Sequence, residues 1–241
     1  MKKNSVFRKL LFPIKFITKF VLIYTLICIL VILFFRFINP AATAFMLANL
    51  DFTVSSLYTF EDMNYKPVPS HMISIYVPLA VLASEDQRFF EHFGFDIEQI
   101  EKALKENQRR KRVRGASTIT MQTAKNLFLW SEKSFIRKGL EAYYTLLLEF
   151  LWSKQRILEV YLNIAEMGKG IYGVHQAAEI YYKKSPIKLT IQESATLAAI
   201  LPNPIKRNPA KPSGYVLGRR SRIIEQMNLM GGQNFIKKYF D

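Results

Sequence analysis

Residues 20–35 read FVLIYTLICILVILFF, sixteen positions without a charge. At ~1.5 Å rise per residue they cover roughly 24 Å of a ~30 Å hydrocarbon layer. Lys19 and Arg36 can snorkel, and Phe37 and Ile38 continue the apolar run. The pattern predicts one transmembrane helix over 16–38. A cleaved signal peptide is the competing reading. Against it, the run exceeds a usual signal core, and Asn39-Pro40-Ala41-Ala42 is a weak cleavage signal.

Beyond the span the period changes. Residues 41–78 are apolar in patches, and Pro67, Pro69 and Pro78 punctuate them, which predicts a connector, bounded at 39–76, with room for short strands such as 72–77 at its end. From Leu79 onward helical spacing dominates. Helices are predicted over 97–108, from a Ser117 or Thr118 cap to about 129, and from Ser153 through 162. The 135–151 stretch is apolar on most faces, which predicts a central, buried helix. Gly168, Gly170 and Gly173 mark a loop, and 174–182 is helical again. Thr190 with Glu193 forms a capping box before 191–200. Pro202, Pro204, Pro209 and Pro212 predict a rigid extended stretch, and a last amphipathic helix over 215–230 ends at Gly231-Gly232. No repeat and no βαβ alternation is visible. The class is mostly α, with residues 77–241 forming one domain behind the connector.

The chain has 241 residues, half of them hydrophobic, which excludes a disordered protein. Its single cysteine, Cys28, falls within the span, so no internal disulfide and no cysteine zinc site can form. His71, His92 and His175 lack metal-ligand spacing. Lys and Arg number 34 against 19 Asp and Glu, a net charge of +15. Six of those bases (Lys2, Lys3, Arg8, Lys9, Lys15, Lys19) precede the uncharged core of the span and no acid does, which puts residues 1–15 in the cytoplasm as a basic tail. The rest is basic too, and calls for an anionic partner: nucleic acid, anionic lipid or a phosphorylated substrate.

Three polar groups stand out. Glu85-Asp86 is followed by Arg88, His92 and Asp96 among Phe89, Phe90, Phe93 and Phe95. This is either a solvated helix end or a carboxylate made basic by apolar walls. Gly115, Ser117 and Thr118 precede a helix bearing Lys125, with five bases among 109–114 just before. A Gly, then hydroxyls, then a helix resembles an anion site at a helix N-terminus; plain capping, and a solvated mobile loop for 109–114, are the bland readings. The phosphate-loop pattern is not matched. Finally, Glu141 and Glu149 lie just over two turns apart on one helix, with Arg137 and Lys138 one turn before Glu141. A structural salt bridge competes with a cleft whose cations face a phosphate, and Glu149 reads as structural.

Taken in order, these motifs resemble the peptidoglycan glycosyltransferase family, and within it the monofunctional, membrane-anchored biosynthetic enzymes. The resemblance runs from about Val77 to Met230. It rests on Glu85-Asp86-x-x-Phe89-x-x-His92-x-Gly94-x-Asp96, on Gly115 through Gln122 with Lys125-Asn126, and on Arg137-Lys138-x-x-Glu141-Ala142. Arg156 through Asn163 with Gly170 and Gly173 continues it, and Glu193 through Pro202 with Asn208-Pro209 closes it. The resemblance implies a lysozyme-like helical domain with a small membrane-associated jaw lobe. It implies lipid II and the growing glycan strand as substrates, the bacterial inner membrane as the location, and cell-wall synthesis or division proteins as partners. No nucleic acid and no organic cofactor are expected. A divalent cation, magnesium or manganese, is expected with the pyrophosphate. Carried over, Glu85 is the general base for the acceptor 4-hydroxyl. Lys125, Arg137 and Lys138 hold the pyrophosphate. Ser117, Thr118 and Gln122 line the donor site, and Asp86 and Asn126 join the substrate-binding set. Glu141 assists departure through a metal ion or by positioning Arg137.

The chain departs from the family pattern at Ala116, Met121, Met167 and His175, and Met121 removes a hydrogen-bonding side chain beside the donor site. A lysozyme-like muramidase is the second enzyme class, but it needs a protonated acid and a water nucleophile. A basic membrane-anchored scaffold or nucleic-acid binder suits 109–114 and leaves the acidic motifs unexplained. Ser185-x-x-Lys188 has the spacing of a penicillin-binding nucleophile, but no Ser-x-Asn or Lys-Thr-Gly follows, so it is a chance match.

Overall fold

The computed structural model of the chain describes residues 3–49, 63–108, 115–132 and 134–240, with side chains from residue 15 onward. The basic tract 109–114 and much of the expected connector, 50–62, lie outside the described residues. The chain divides into two compact units, Met1–Asn39 and Pro40–Asp241.

The first unit is one helix, α1 (Lys3–Phe35). Its Lys15–Phe35 segment is 21 residues long with a mean hydropathy of 2.6 over an 18-residue stretch, long and apolar enough to cross a membrane. The predicted end at 38 overshoots. Residues 36–38 are turns, with Arg36 N–H bonded to Ile32 and Ile38 N–H to Phe34. Pro40 follows, and the residue before a proline is steered out of helical geometry.

The second unit is mostly helical. After the short α2 (Ala44–Ala48) come strand β1 (Asn64–Tyr65), α3 (Tyr76–Glu85), α4 (Ile97–Asn107), α5 (Ile119–Phe128), α6 (Phe135–Leu151) and α7 (Lys154–Ile164). A hairpin of β2 (Glu166–Gly168) and β3 (Ile171–Tyr172) leads into α8 (Gly173–Ala177), a π-helical turn (Ala178–Tyr182), α9 (Ile191–Ile200), α10 (Gly214–Leu229) and α11 (Gln233–Phe240). Two helical groups emerge. Helix α3, buried on every side from 77 to 83, packs on α9, α10 and α11. Helix α5 packs on α6, α7 and α2. The site described below lies where the end of α3 meets the start of α5.

Several expectations change. No strand forms over 72–77: Ser70–Met72 is a 3-10 turn and α3 starts at Tyr76. Pro78 is tolerated because it sits in the first helical turn, where N–H groups lack intrahelical partners. Helix α6 has the predicted bounds but is not enclosed. Phe135 is 99% exposed and Phe150 73% exposed, while the buried stripe carries Arg137 and Glu141 beside Tyr144, Thr145 and Leu148. Thr118, not Ser117, caps α5, accepting from Met121 N–H at 3.2 Å. The 202–212 stretch is mostly turns and bends rather than extended chain, and α11 follows Gly231-Gly232, where no further helix was predicted.

The glycine loop is a hairpin. Strand β3 pairs antiparallel with β2 and parallel with β1, with Asn64 opposite Ile171 and Tyr65 opposite Tyr172. Asn163, at the end of α7, ties the incoming chain to this corner. Its Oδ1 accepts from Val68 N–H at 2.8 Å, and its Nδ2 donates to Val68 C=O at 2.9 Å. Gly173 then turns the chain at φ +78°, with its backbone so close to α7 that a Cβ would lie 2.2 Å from the Asn163 carbonyl oxygen. Both the left-handed angle and the contact exclude a side chain. Gly173→Ala is therefore expected to destabilise the domain by roughly 3 kcal/mol, read as a lowered midpoint in thermal or urea unfolding. A midpoint unchanged from the parent would contradict this account of the corner.

Candidate active site

Helix α3 is apolar until its last turn and ends in Ser84, Glu85 and Asp86. Asp86 leaves helical geometry at φ −161°, ψ 76°, with its N–H still bonded to Leu82. Its carboxylate is buried and fully engaged. Oδ2 accepts from Ile119 N–H at 2.9 Å, and Oδ1 faces His92 Nε2 at 2.9 Å. An anion at the first turn of α5 also meets that helix's positive end. Asp86 thus joins two helices, and its partners are protein groups.

Glu85 opens toward a cleft of about 310 Å³, lined on one side by Ser84 to Arg88 and on the other by Gly115 to Thr118. Its side chain is 13% exposed. Ser84 Oγ lies 3.0 Å and Arg219 Nη2 3.3 Å from Oε1, while Gln122 Nε2 lies 3.3 Å from Oε2. Arg219 also donates to Ser84 Oγ at 2.8 Å. The carboxylate is held on both oxygens, yet borders the cleft.

The wall opposite Glu85 carries the capping sequence. Thr118 spends its hydroxyl on the Gly94 carbonyl at 2.6 Å. Ser117 is engaged only loosely, by Lys138 Nζ at 3.5 Å. Lys138 connects this wall to α6, where its ammonium meets Glu141 Oε1 at 2.5 Å. Arg137 meets Glu141 Oε2 at 3.2 Å. Arg137 is 8% exposed, and its Nε has no hydrogen-bond partner among the described residues. A buried guanidinium with an unspent donor is a ready anion ligand. Lys125, on α5, places its ammonium 5.0 Å from the Phe45 ring centroid. Burial pulls its pKa below the usual lysine value; Glu141 and Glu166 counter this, while Arg137 and Lys138 reinforce it. Asn126 is buried beside it in sequence, with its Oδ1 unpaired among the described residues.

A transglycosylase family model matches residues 53–228, most of the chain. This chain belongs to the transglycosylase family. It is 49% identical over 204 residues to a biosynthetic peptidoglycan transglycosylase of Bacteroides thetaiotaomicron, covering 84% of this chain and 81% of that one. Similar proteins of the same description from Escherichia coli and Shigella sonnei are 54% identical over 173 residues, 71% of this chain and 72% of theirs. The transglycosylase domain is of the lysozyme-like class, in keeping with the helical fold.

Against that identity, the expected site residues separate into groups. Glu85 and Gln122 are joined beside the cleft, with Arg219, which was not expected, on the other carboxylate oxygen. Arg137, Lys138 and Glu141 form one ion cluster, within electrostatic reach of Lys125. Asp86 and Thr118 are committed to tying backbone segments together. Glu149 is structural as expected, accepting from Thr120 at 2.6 Å and Lys154 at 2.8 Å. The donors around Glu141 do not fit a protein-held divalent cation. Both its oxygens already accept from cations, and no three of His, Cys, Asp and Glu are grouped for a metal among the described residues.

Sequence reasoning missed three members of this transglycosylase's site. Arg219 is 134 residues from Glu85, and nothing in the pattern separates it from Arg220 and Arg222 on the same helix. Phe45 belongs to the stretch read as connector. Glu166 follows α7, half-buried, its pKa raised by burial and lowered again by Lys125. Its signal was an acid between Ala165 and Met167, flanked by buried positions. The desolvated Lys125 implies a test. An ammonium held below its usual pKa costs folding free energy at neutral pH, because the folded state binds its proton less tightly. Lys125→Met is expected to melt at or above the parent temperature. Melting several degrees lower would show that Lys125 stabilises the fold through its carboxylate neighbours.

Proposed function

We propose that this transglycosylase polymerises glycan chains from lipid II, with Glu85 as general base. The acceptor's 4-hydroxyl gives its proton to Glu85 as its oxygen attacks the anomeric carbon of the lipid-linked donor. The bond to the pyrophosphate oxygen breaks with inversion, and the lipid pyrophosphate leaves as an anion. Its growing negative charge would fall to Lys125, Arg137 and Lys138, and Ser117 would face the donor sugar. Such a leaving group needs cations more than it needs a proton.

The observation that carries this reading is the wall from Gly115 to Thr118. It faces Glu85 across the cleft, and through Ser117 it contacts the ion cluster on α6. A base and a leaving-group site on two sides of one reacting carbon suit an inverting transfer. A muramidase is less well supported. Glu141 accepts from two cations, so neither oxygen is set to deliver a proton to a leaving sugar. The apolar N-terminal helix fits membrane anchoring. With the bases preceding it, we place its N-terminus in the cytoplasm and the enzyme on the outer face of the inner membrane.

The test is incubation of the purified protein with labelled lipid II, resolving products by length. Glu85→Gln keeps shape and loses basicity, so polymerisation is expected to fall by roughly 10²–10⁴ while the protein stays folded. Lys125→Ala and Arg137→Ala are expected to lose about 10²-fold or more, with little recovery as salt varies, because desolvated contacts are poorly screened. A Glu85→Gln rate within about fivefold of the parent, far above that range, removes Glu85 from the role of base.

A further inference from the structure

A donor–acceptor chain reaches Glu85 from inside the core. It starts at Tyr161 on α7, which is 1% exposed and so has no access to substrate. The Tyr161 hydroxyl donates to Gln122 Oε1 at 3.1 Å, and Gln122 Nε2 donates to Glu85 Oε2 at 3.3 Å. The direction of this chain is forced. A carboxylate only accepts, so the amide must turn its nitrogen to Glu85. Its oxygen then faces Tyr161, which must donate. Burial, with Glu85 and Asp86 nearby, holds the phenol well above its usual pKa, so its proton stays in place across the working pH range.

We propose that Tyr161 is a positioning residue: its hydroxyl fixes the orientation of the Gln122 amide, and through it the placement of Glu85 Oε2 for proton transfer. This rests on Glu85 being the base. The two carboxylate oxygens are anchored differently. Oε1 has Ser84 and Arg219, which are independent of Tyr161. Oε2 has Gln122, and Gln122 has Tyr161. Without the hydroxyl, Gln122 Oε1 loses its donor and the amide is free to rotate. Its oxygen would then face an anion, and Glu85 would turn away from it. A misplaced base loses rate steeply because proton transfer needs hydrogen-bond distance.

The experiment is a double-mutant cycle on the full chain, with lipid II polymerisation and thermal melting as readouts. Tyr161→Phe is expected to lower kcat about tenfold and leave KM within about twofold, as befits a group that never touches substrate. Gln122→Ala is expected to lose at least as much. If Tyr161 acts through Gln122, the double variant loses no more than Gln122→Ala alone. Multiplying losses, or a Tyr161→Phe loss confined to KM, overturns the proposal. Should Tyr161→Phe melt below the assay temperature, p-aminophenylalanine at 161 keeps an N–H donor in place. A folded variant of that kind within about threefold of the parent kcat supports the chain, and a tenfold loss overturns it. Glu85→Gln in the same assay separates the two ideas. If it stays active, Glu85 is not the base; if it is inactive while the cycle is additive, only Tyr161's part fails.

Discussion

The site depends on one buried carboxylate, Asp86. It follows the last residue of α3 and accepts from the first N–H of α5, so it fixes the helix that carries Glu85 to the helix that carries Gln122 and Lys125. The bond uses a donor that every helix start leaves unmet, and the negative charge suits that end of the helix dipole. His92 holds the second oxygen. The arrangement then propagates. Thr118, one residue before Ile119, caps α5 and bonds the Gly94 carbonyl, so the wall of the cleft is anchored from both flanks. Gly94 itself sits at φ +78°, with Thr145 Cγ2 2.7 Å from where a Cβ would be, which packs the loop against α6. One carboxylate thereby helps to fix the spacing between Glu85 and the opposite wall of the cleft.

Glu85 and Glu141 live in different company. Glu85 borders the cleft and is held by an amide, a hydroxyl and one guanidinium, leaving it beside open space. Glu141 is 3% exposed and bracketed by Arg137 and Lys138. It partners the buried Arg137 and the exposed Lys138, and so offsets the cost of burying the guanidinium. Arg137 and Lys125 would otherwise be charges with too few partners in a desolvated place, a costly state. A shortfall remains, an unspent Arg137 Nε and a depressed Lys125 pKa, and in the proposed reaction the leaving pyrophosphate would meet it.

Much of this was legible in the sequence. The bounds of α6 and the capping box at Thr190 and Glu193 follow from local rules, and the structure has both. Arg137, Lys138 and Glu141 are one helical turn apart, so their pairing could be read from spacing. What local rules could not supply were contacts closed by the fold. Arg219 reaches Glu85 across 134 residues, and Tyr161 reaches Gln122 across 39. Helix α6 shows the opposite failure. Its composition pointed to full burial, but the stripe that is buried is the charged one, because the site needs it, while Phe135, Ile136 and Phe150 face outward.

That inversion has a physical meaning of its own. A helix whose inner face carries Arg137 and Glu141 gains less from burial than its apolar content suggests. It is held instead by Tyr144, Thr145 and Leu148 and by packing on α5. Tyr144 stacks on Phe128 at 4.5 Å between ring centroids, and Phe150 meets Phe93 edge-on at 4.9 Å. These contacts lie at the C-terminal half of α6, away from the ion cluster near its start. The helix thus packs on aromatic neighbours in its C-terminal half, where Glu149 is buried and paired with Lys154, and carries the Arg137–Lys138–Glu141 cluster nearer its start. In that arrangement the ion cluster would meet the leaving group of the proposed reaction near the start of the helix, apart from the aromatic contacts of its C-terminal half.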